Sequence, residues 1–316
     1  MSAQYKLFYT SDIHGSEKCF LKFLNAGKFY KANALVLGGD IAGKMVVPII
    51  SRSSRWEARF LGRDFVADTE AECRELEKNI RMNGFYPVLM TQEEHEHFHN
   101  DADACGKMID RVVLAAIERW IGIAEDRLRN TGIRCFVNAG NDDDDYIDNA
   151  LRQSDLVENH DGSITDLTDD IQMAVCGYSN STPFDSPREM QEEQLEAYIE
   201  EIIAKLKSPR DAIFTLHAPP YNTGIDSAPL LENGRVVTSG GHTVMTPVGS
   251  TAVRNVIERY QPLVGLHGHI HESRGTKQIG RTLCINPGSE YSEGVLRGVL
   301  VSFKGGQLIG HQLVQA

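Results

Sequence analysis

The sequence predicts an α+β fold, and three observations carry the prediction. Short apolar runs alternate with amphipathic stretches, five of those runs end in a carboxylate, carboxamide or imidazole, and only two stretches break the alternation. The runs KLFYTSDIH, ALVLGGD, IRCFVNAGN, AIFTLH and LVGLHGHIH read as strands. They deliver, in order, Asp12 and His14, Asp40, Asn141, His217, and His269 and His271. A lone Asp after a strand is usually a helix cap, and a lone His beside an apolar run is usually packed and hydrogen-bonded in the core. Seven such groups in sequence describe a shared rim, for which a polynuclear metal site is the economical reading.

The intervening helices follow from periodicity. Residues 17 to 31 place Phe20, Leu21, Phe23, Leu24 and Phe29 on a roughly helical repeat, and residues 110 to 129 do the same with Val113, Ile117, Trp120, Ile121, Ala124 and Leu128. Both are expected to face the core. A third helix is expected to start where Ser186, Pro187 and Glu189 fall on cap, first-turn and capping-box positions, and to carry Leu195, Tyr198, Ile199, Ile202 and Ile203. A fourth follows Ser250 through Val253, Val256 and Ile257.

Two stretches fall outside this rhythm. Residues 43 to 106 read as an insertion within a single domain spanning 1–316: two short strands (45–50 and 56–61), an acidic helix (69–82), and the role of a small cap or lid. Residues 218 to 248 are rich in Gly and Pro and directly follow His217, which predicts a loop bordering the site.

Composition narrows the function classes. The chain has 316 residues, 41% hydrophobic and 24% charged, ordinary for a globular protein with a large core. Its 44 acidic against 32 basic residues give a formal charge of −12, which disfavours a broad phosphate-backbone-binding face, so no long nucleic acid is expected as a partner. The first apolar strand begins almost directly after Met1, and no run approaches ~20 apolar residues, so a cytoplasmic location without membrane contact is expected. Six cysteines without a C-x-x-C pair are expected to be reduced, mostly buried thiols. No phosphate-binding P-loop or nucleophile elbow is present. Oligomeric state is left open.

The spaced blocks Asp12-Ile13-His14, Gly39-Asp40, Gly140-Asn141, His217 and Gly268-His269-Ile270-His271 resemble the signature of the calcineurin-like metallophosphoesterases. The likeness covers residues 5 to 42 and 107 to 303, with residues 286 to 289 (NPGS) similar to the family's closing strand and turn. It implies a four-layer α-β-β-α sandwich, the metallo-dependent phosphatase fold, with metals at the strand ends and the insertion outside. It also implies that Asp12, His14 and His271 hold one divalent ion, that Asn141, His217 and His269 hold a second, and that Asp40 bridges them. Such a mixed oxygen and nitrogen set accommodates manganese, iron, zinc or nickel, manganese foremost. Two ions ~3.5–4 Å apart would activate a shared hydroxide and clamp the phosphoryl oxygens of a small phosphodiester or nucleotide-type substrate.

One departure from the family pattern stands out. Where the family has G-N-H-D/E, this chain reads Gly140-Asn141-Asp142-Asp143, so the imidazole expected near the leaving group is replaced by a carboxylate. Asp143 matches the acidic residue that would orient the missing His. Asp142 is left as the candidate acid or substrate-orienting group, inside an acidic run that extends to Asp145. This opens an alternative: a metal-binding scaffold with impaired catalysis, acting as a protein-interaction module. His242 in the Gly-rich stretch is a candidate phosphate contact, and His267 a candidate supporting residue behind the metal ligands. His95 and His99 share a helical face but are expected to be solvated, while His160 and His311 have no supporting context.

Overall fold

The computed structural model describes residues 4–316. Two six-stranded sheets stack face to face. The first runs in the order 307–315, 297–304, 4–10, 34–38, 134–138, 157–158, and the second in the order 275–279, 282–286, 264–266, 213–216, 172–176, 163–166. Strands 4–10, 34–38, 134–138 and 157–158 are mutually parallel in the first sheet, as are 172–176, 213–216, 264–266 and 282–286 in the second. Parallel sheets need cover on both faces, which explains why these strands read as unbroken apolar runs.

Among the described residues seven helices supply the cover: α1 (Glu17–Tyr30), α2 (Glu70–Met82), α3 (Gln92–Asn100), α4 (Ala102–Leu128), α5 (Asp145–Leu151), α6 (Glu192–Ile203) and α7 (Thr251–Tyr260). Alternation along the first strand shows the layering. Phe8 packs toward α1 and α4 with Phe20, Phe23, Ile117 and Trp120, whereas Leu7 and Tyr9 face the second sheet, meeting Met173, Val175, Ile213 and Val264. Beyond the second sheet, Phe214 and Cys284 pack with Leu195, Ile199, Val253 and Val256 of α6 and α7. The result is an α-β-β-α sandwich with three cores between four layers.

Five of the seven helices among the described residues start at a side-chain cap; α5 and α6 do not. The Ser16 and Ser250 side chains accept from Cys19 N and Val253 N, and Thr69 forms a full capping box with Glu72. The helix expected at Ser186 starts instead at Glu192. There Glu189 does bond back to Ser186 N (3.1 Å), as a capping box requires, but also takes Thr182 N (2.9 Å), so it braces a non-helical turn. The helix expected from residue 110 begins earlier, at Ala102, capped by Asp101.

Between residue 40 and α4 the chain builds a separate four-stranded sheet in the order 63–67, 55–60, 46–52, 86–91, backed by α2. It has its own small core of Val47, Ile49, Phe60, Leu76 and Ile80. Two of its strands were expected; 63–67 and 86–91 were not, because each is short and half exposed. Residues 227–247, expected as a loop, form a run of very short hairpins. All six cysteines are free, and five are buried. No helix among the described residues is long and apolar enough to cross a membrane.

A buried Arg ties the layers together. Arg188 is 2% exposed, donates to Asp148 (2.6 Å) and to Asp161, and lies over the Tyr178 ring (4.6 Å). Its backbone N–H donates to Asn141 O (3.1 Å), so this ion triad also holds the loop that follows strand 134–138. Arg188→Ala would leave two buried carboxylates without their cation and is expected to destabilise the fold by about 3–5 kcal/mol. Urea unfolding of the two proteins checks this, and a loss below about 1 kcal/mol would show that solvent reaches the pair.

Candidate metal centre

The seven predicted residues converge at the carboxyl ends of the parallel strands, where open α/β sheets place their ligands. Two sets form, each with one donor atom per residue and all donors mutually within 4.8 Å: Asp12, His14 and His271, and Asp40, His217 and His269. Asp40 Oδ2 reaches both sets, lying 3.7 Å from His14 Nε2 and 3.4 Å from His217 Nε2. Asn141 Oδ1 is 3.1 Å from His217 Nε2. His14 Nε2 and His271 Nε2 face each other at 3.1 Å, and Asp12 Oδ1 is 3.6 Å from His271 Nε2.

Backbone geometry makes the convergence possible. Asp12 (φ 58), His14 (φ 37), Asp40 (φ 49) and His269 (φ 65) all occupy the left-handed region, which costs non-glycine residues of order 1–3 kcal/mol each and persists only where the surroundings enforce it. The enforcement is visible. Asp12 N donates to Gly39 O and His14 N to Asp40 O, both at 3.0 Å, so the turns after the first two strands lock to each other. His269 N donates to both Asp12 oxygens (2.9 and 3.1 Å), and Ser289 Oγ to Asp12 O (2.6 Å). Fully buried Asn286 holds the Gly268–His271 turn through Gly268 O and Ile270 O.

Two glycines allow the close approach. A Cβ on Gly140 would collide with Asp40 Oδ1 and its backbone N, and one on Gly268 with Ser11 Oγ and Asp12 Oδ2.

The imidazoles are aimed from behind. His217 Nδ1 bonds Gly38 O (3.0 Å), turning Nε2 toward Asp40 and Asn141. His267 is completely buried with Nδ1 on Leu216 O (2.8 Å) and Ala218 O (3.1 Å), so it supports the end of strand 213–216. Burial opposes charge on both Asp40 and His217, but their mutual attraction prevails: Asp40 is held below the usual carboxylate range and His217 rises to about 9. Burial, reinforced by His217, pushes His269 down to about 4. Packed carboxylates and imidazoles that must share protons in this way are a donor set suited to divalent cations, which would replace those protons.

The Gly140–Asp143 block divides its two carboxylates between different tasks. Asp143, expected to orient a catalytic group, is fully buried and accepts from Ile41 N (3.0 Å), Ala42 N (2.9 Å) and Gly140 N (2.8 Å). Its carboxylate fixes the backbone around Asp40. Burial, then the neighbouring Asp40, raises its pKa to about 7. Asp142 faces outward, paired to Lys44 Nζ (2.7 Å) and Ser186 Oγ (3.3 Å), with its other oxygen 3.9 Å from His14 Nδ1. Its N–H donates to Asp40 Oδ1 (2.9 Å).

His242 is exposed in the hairpin 238–243, and no hydrogen bond or ion pair among the described residues ties it to the seven. Sequence reading passed over Tyr291, whose ring lies 4.7 Å from that of His14 and edge-on to His271 at 5.8 Å. It follows the NPGS turn, the only signal that could have found it.

Comparison with known proteins fits this architecture. No family model matches the chain. An uncharacterized protein of Methanocaldococcus jannaschii, MJ1162, is 33% identical over 121 residues, 38% of this chain; the match spans 49% of that relative's length. Among solved structures, TT1561 of Thermus thermophilus superposes over 96% of this chain and 99% of its own with a TM-score of 0.54 at 13% identity. Another covers 99% of both chains with a TM-score of 0.59 at 16% identity. The chain shares its overall fold with these two structures. In this four-layer sandwich the donor-bearing turns occupy the rim between the two sheets, and each of the five sequence blocks contributes at least one residue to it.

Gly268→Ala is expected to weaken divalent-ion binding by roughly 10–100-fold with little change in far-UV circular dichroism, because the added methyl displaces Asp12 without unfolding a strand. Titration calorimetry with Mn²⁺ measures it, and wild-type affinity in the variant would refute the proposed close approach.

Proposed function

We propose that this protein is a metal-dependent phosphoesterase acting on a small phosphodiester or nucleotide-type substrate. The observation that carries the reading is Asp40, whose Oδ2 sits within 3.7 Å of one donor set and 3.4 Å of the other. In this reading Asp12, His14 and His271 hold one ion, Asn141, His217 and His269 a second, and Asp40 both. Bound divalent ions would supply Lewis-acid stabilisation of phosphoryl charge and lower the pKa of water from ~16 toward ~7. Nitrogen and carboxylate donors together suit manganese, iron, zinc or nickel, and manganese is the ion we propose to test first.

The chain's own residues then orient the substrate. Asp142 and Lys44 form a paired carboxylate and ammonium beside His14. We assign Lys44 to a phosphoryl oxygen and Asp142 to holding Lys44 and the leaving-group side. The small sheet over residues 46–91 is proposed as a cap. Its support is local: Gly43 N donates to Tyr86 Oη (3.0 Å), joining the root of that sheet to the turn that carries Lys44. The competing reading, a metal-binding interaction module with impaired hydrolysis, draws on the absence of an imidazole at position 142.

Manganese-loaded protein is expected to hydrolyse bis(4-nitrophenyl) phosphate, and Asp40→Asn to lower kcat/KM by roughly 10²-fold or more. Asp142→Ala is expected to reduce turnover. If Asp142→Ala is neutral while Asp142→His greatly raises activity, the missing imidazole is a defect and the interaction-module reading gains. Metal-loaded protein that is inert on diesters, monoesters and nucleotide anhydrides refutes the esterase reading.

A further inference from the structure

A cavity of about 150 Å³ lies beside the metal centre, between α4, the start of α5 and the turn that carries Lys44. It shares a wall with the site: Asp142 and Lys44 line it, and the far oxygen of Asp142 is 3.9 Å from His14 Nδ1. The inner side is apolar, made by Ile109, Val113 and Ile147. Gly106 of α4 also lines it. Glycine is the poorest helix former after proline, and Gly106 has ordinary helical geometry that any residue adopts. A Cβ there would meet nothing within 4 Å, so neither close packing nor backbone conformation calls for glycine. The consequence of its presence is space.

Resting on the phosphoesterase reading above, we propose that this cavity is the leaving-group subsite and that it takes a neutral, ring-sized alcohol of a phosphodiester. Size favours one ring with its apolar face on Ile109 and Val113. Charge excludes the anhydride option: Asp110, Asp142 and Asp144 face one cation, Lys44, so a leaving group carrying further phosphates meets net repulsion. A neutral alcohol incurs no such penalty and can donate its hydroxyls to those carboxylates. Lys44, paired to Asp142 at 2.7 Å, stands where the ester oxygen would cross from the metal centre into the cavity.

The test fills the cavity. Gly106→Leu in the full chain, loaded with Mn²⁺, is expected to lower kcat/KM on bis(4-nitrophenyl) phosphate about tenfold or more. The inhibition constant of inorganic phosphate, which occupies only the metal centre, should stay within about twofold of wild type. Gly122→Leu serves as the control: it lies on the same helix, exposed, again with nothing within 4 Å of the added carbon, and should change neither value. Gly106→Leu with wild-type kcat/KM overturns the subsite, as does a parallel loss of phosphate inhibition, and so does faster hydrolysis of ATP than of the diester by the wild type. Wild-type protein inert on every ester would overturn the esterase reading and this assignment with it. Active wild type with an indifferent Gly106→Leu would overturn the assignment alone.

Discussion

The structure depends on one constraint: two stacked sheets must bring short turns from five of their parallel strands to a common point without a side chain in between. The turns after strands 4–10 and 34–38 solve it by bonding to each other while Asp12, His14 and Asp40 take left-handed backbone conformations. Such strain is tolerable only on a rigid base. The base is the intersheet core of Leu7, Val36, Ile213 and Val264, all fully buried, which fixes the strand ends before any side chain is placed. Asp143 then uses its carboxylate to hold the backbone at residues 41, 42 and 140, and Asn286 does the same for the His269–His271 turn.

Much of this was legible in the sequence because the same residues meet two requirements at once. A strand buried on both faces shows as an apolar run, and a donor placed immediately after it interrupts that run with a conspicuous polar type. Asp12, His14, Asp40, Asn141, His217, His269 and His271 stand out for that reason, and so do α1 and α7, whose apolar faces and Ser caps agree. Illegible features share the opposite property, since their meaning lies in distant partners. Arg188 reads as a surface cation until Asp148 and Asp161 fold around it. Asp143 holds the amides of Ile41 and Ala42, about a hundred residues away in sequence, and Tyr291 is marked only by the NPGS turn before it. The Ser186 misreading has a definite cause: a capping-box spacing records a hydrogen bond, and Glu189 makes that bond in a turn that never becomes a helix.

Electrostatics connect the fold to the proposed chemistry. A chain of formal charge −12 that gathers Asp12, Asp40 and Asp142 at one rim repels a phosphate ester unless cations intervene. Lys44 is one such cation, fixed by Asp142, but it sits outside the two donor sets. Divalent ions between those sets would reverse the sign of the local potential and relieve the protons that His217 and Asp40 now share. Metal binding and anion binding are therefore one problem here, and a loss of the first should remove the second.

The most direct test of the two-ion claim is anomalous diffraction from crystals grown with Mn²⁺. The account predicts two peaks, one among Asp12, His14 and His271 and one among Asn141, His217 and His269, with Asp40 in contact with both. A single peak, or none, in protein saturated with the ion would contradict it.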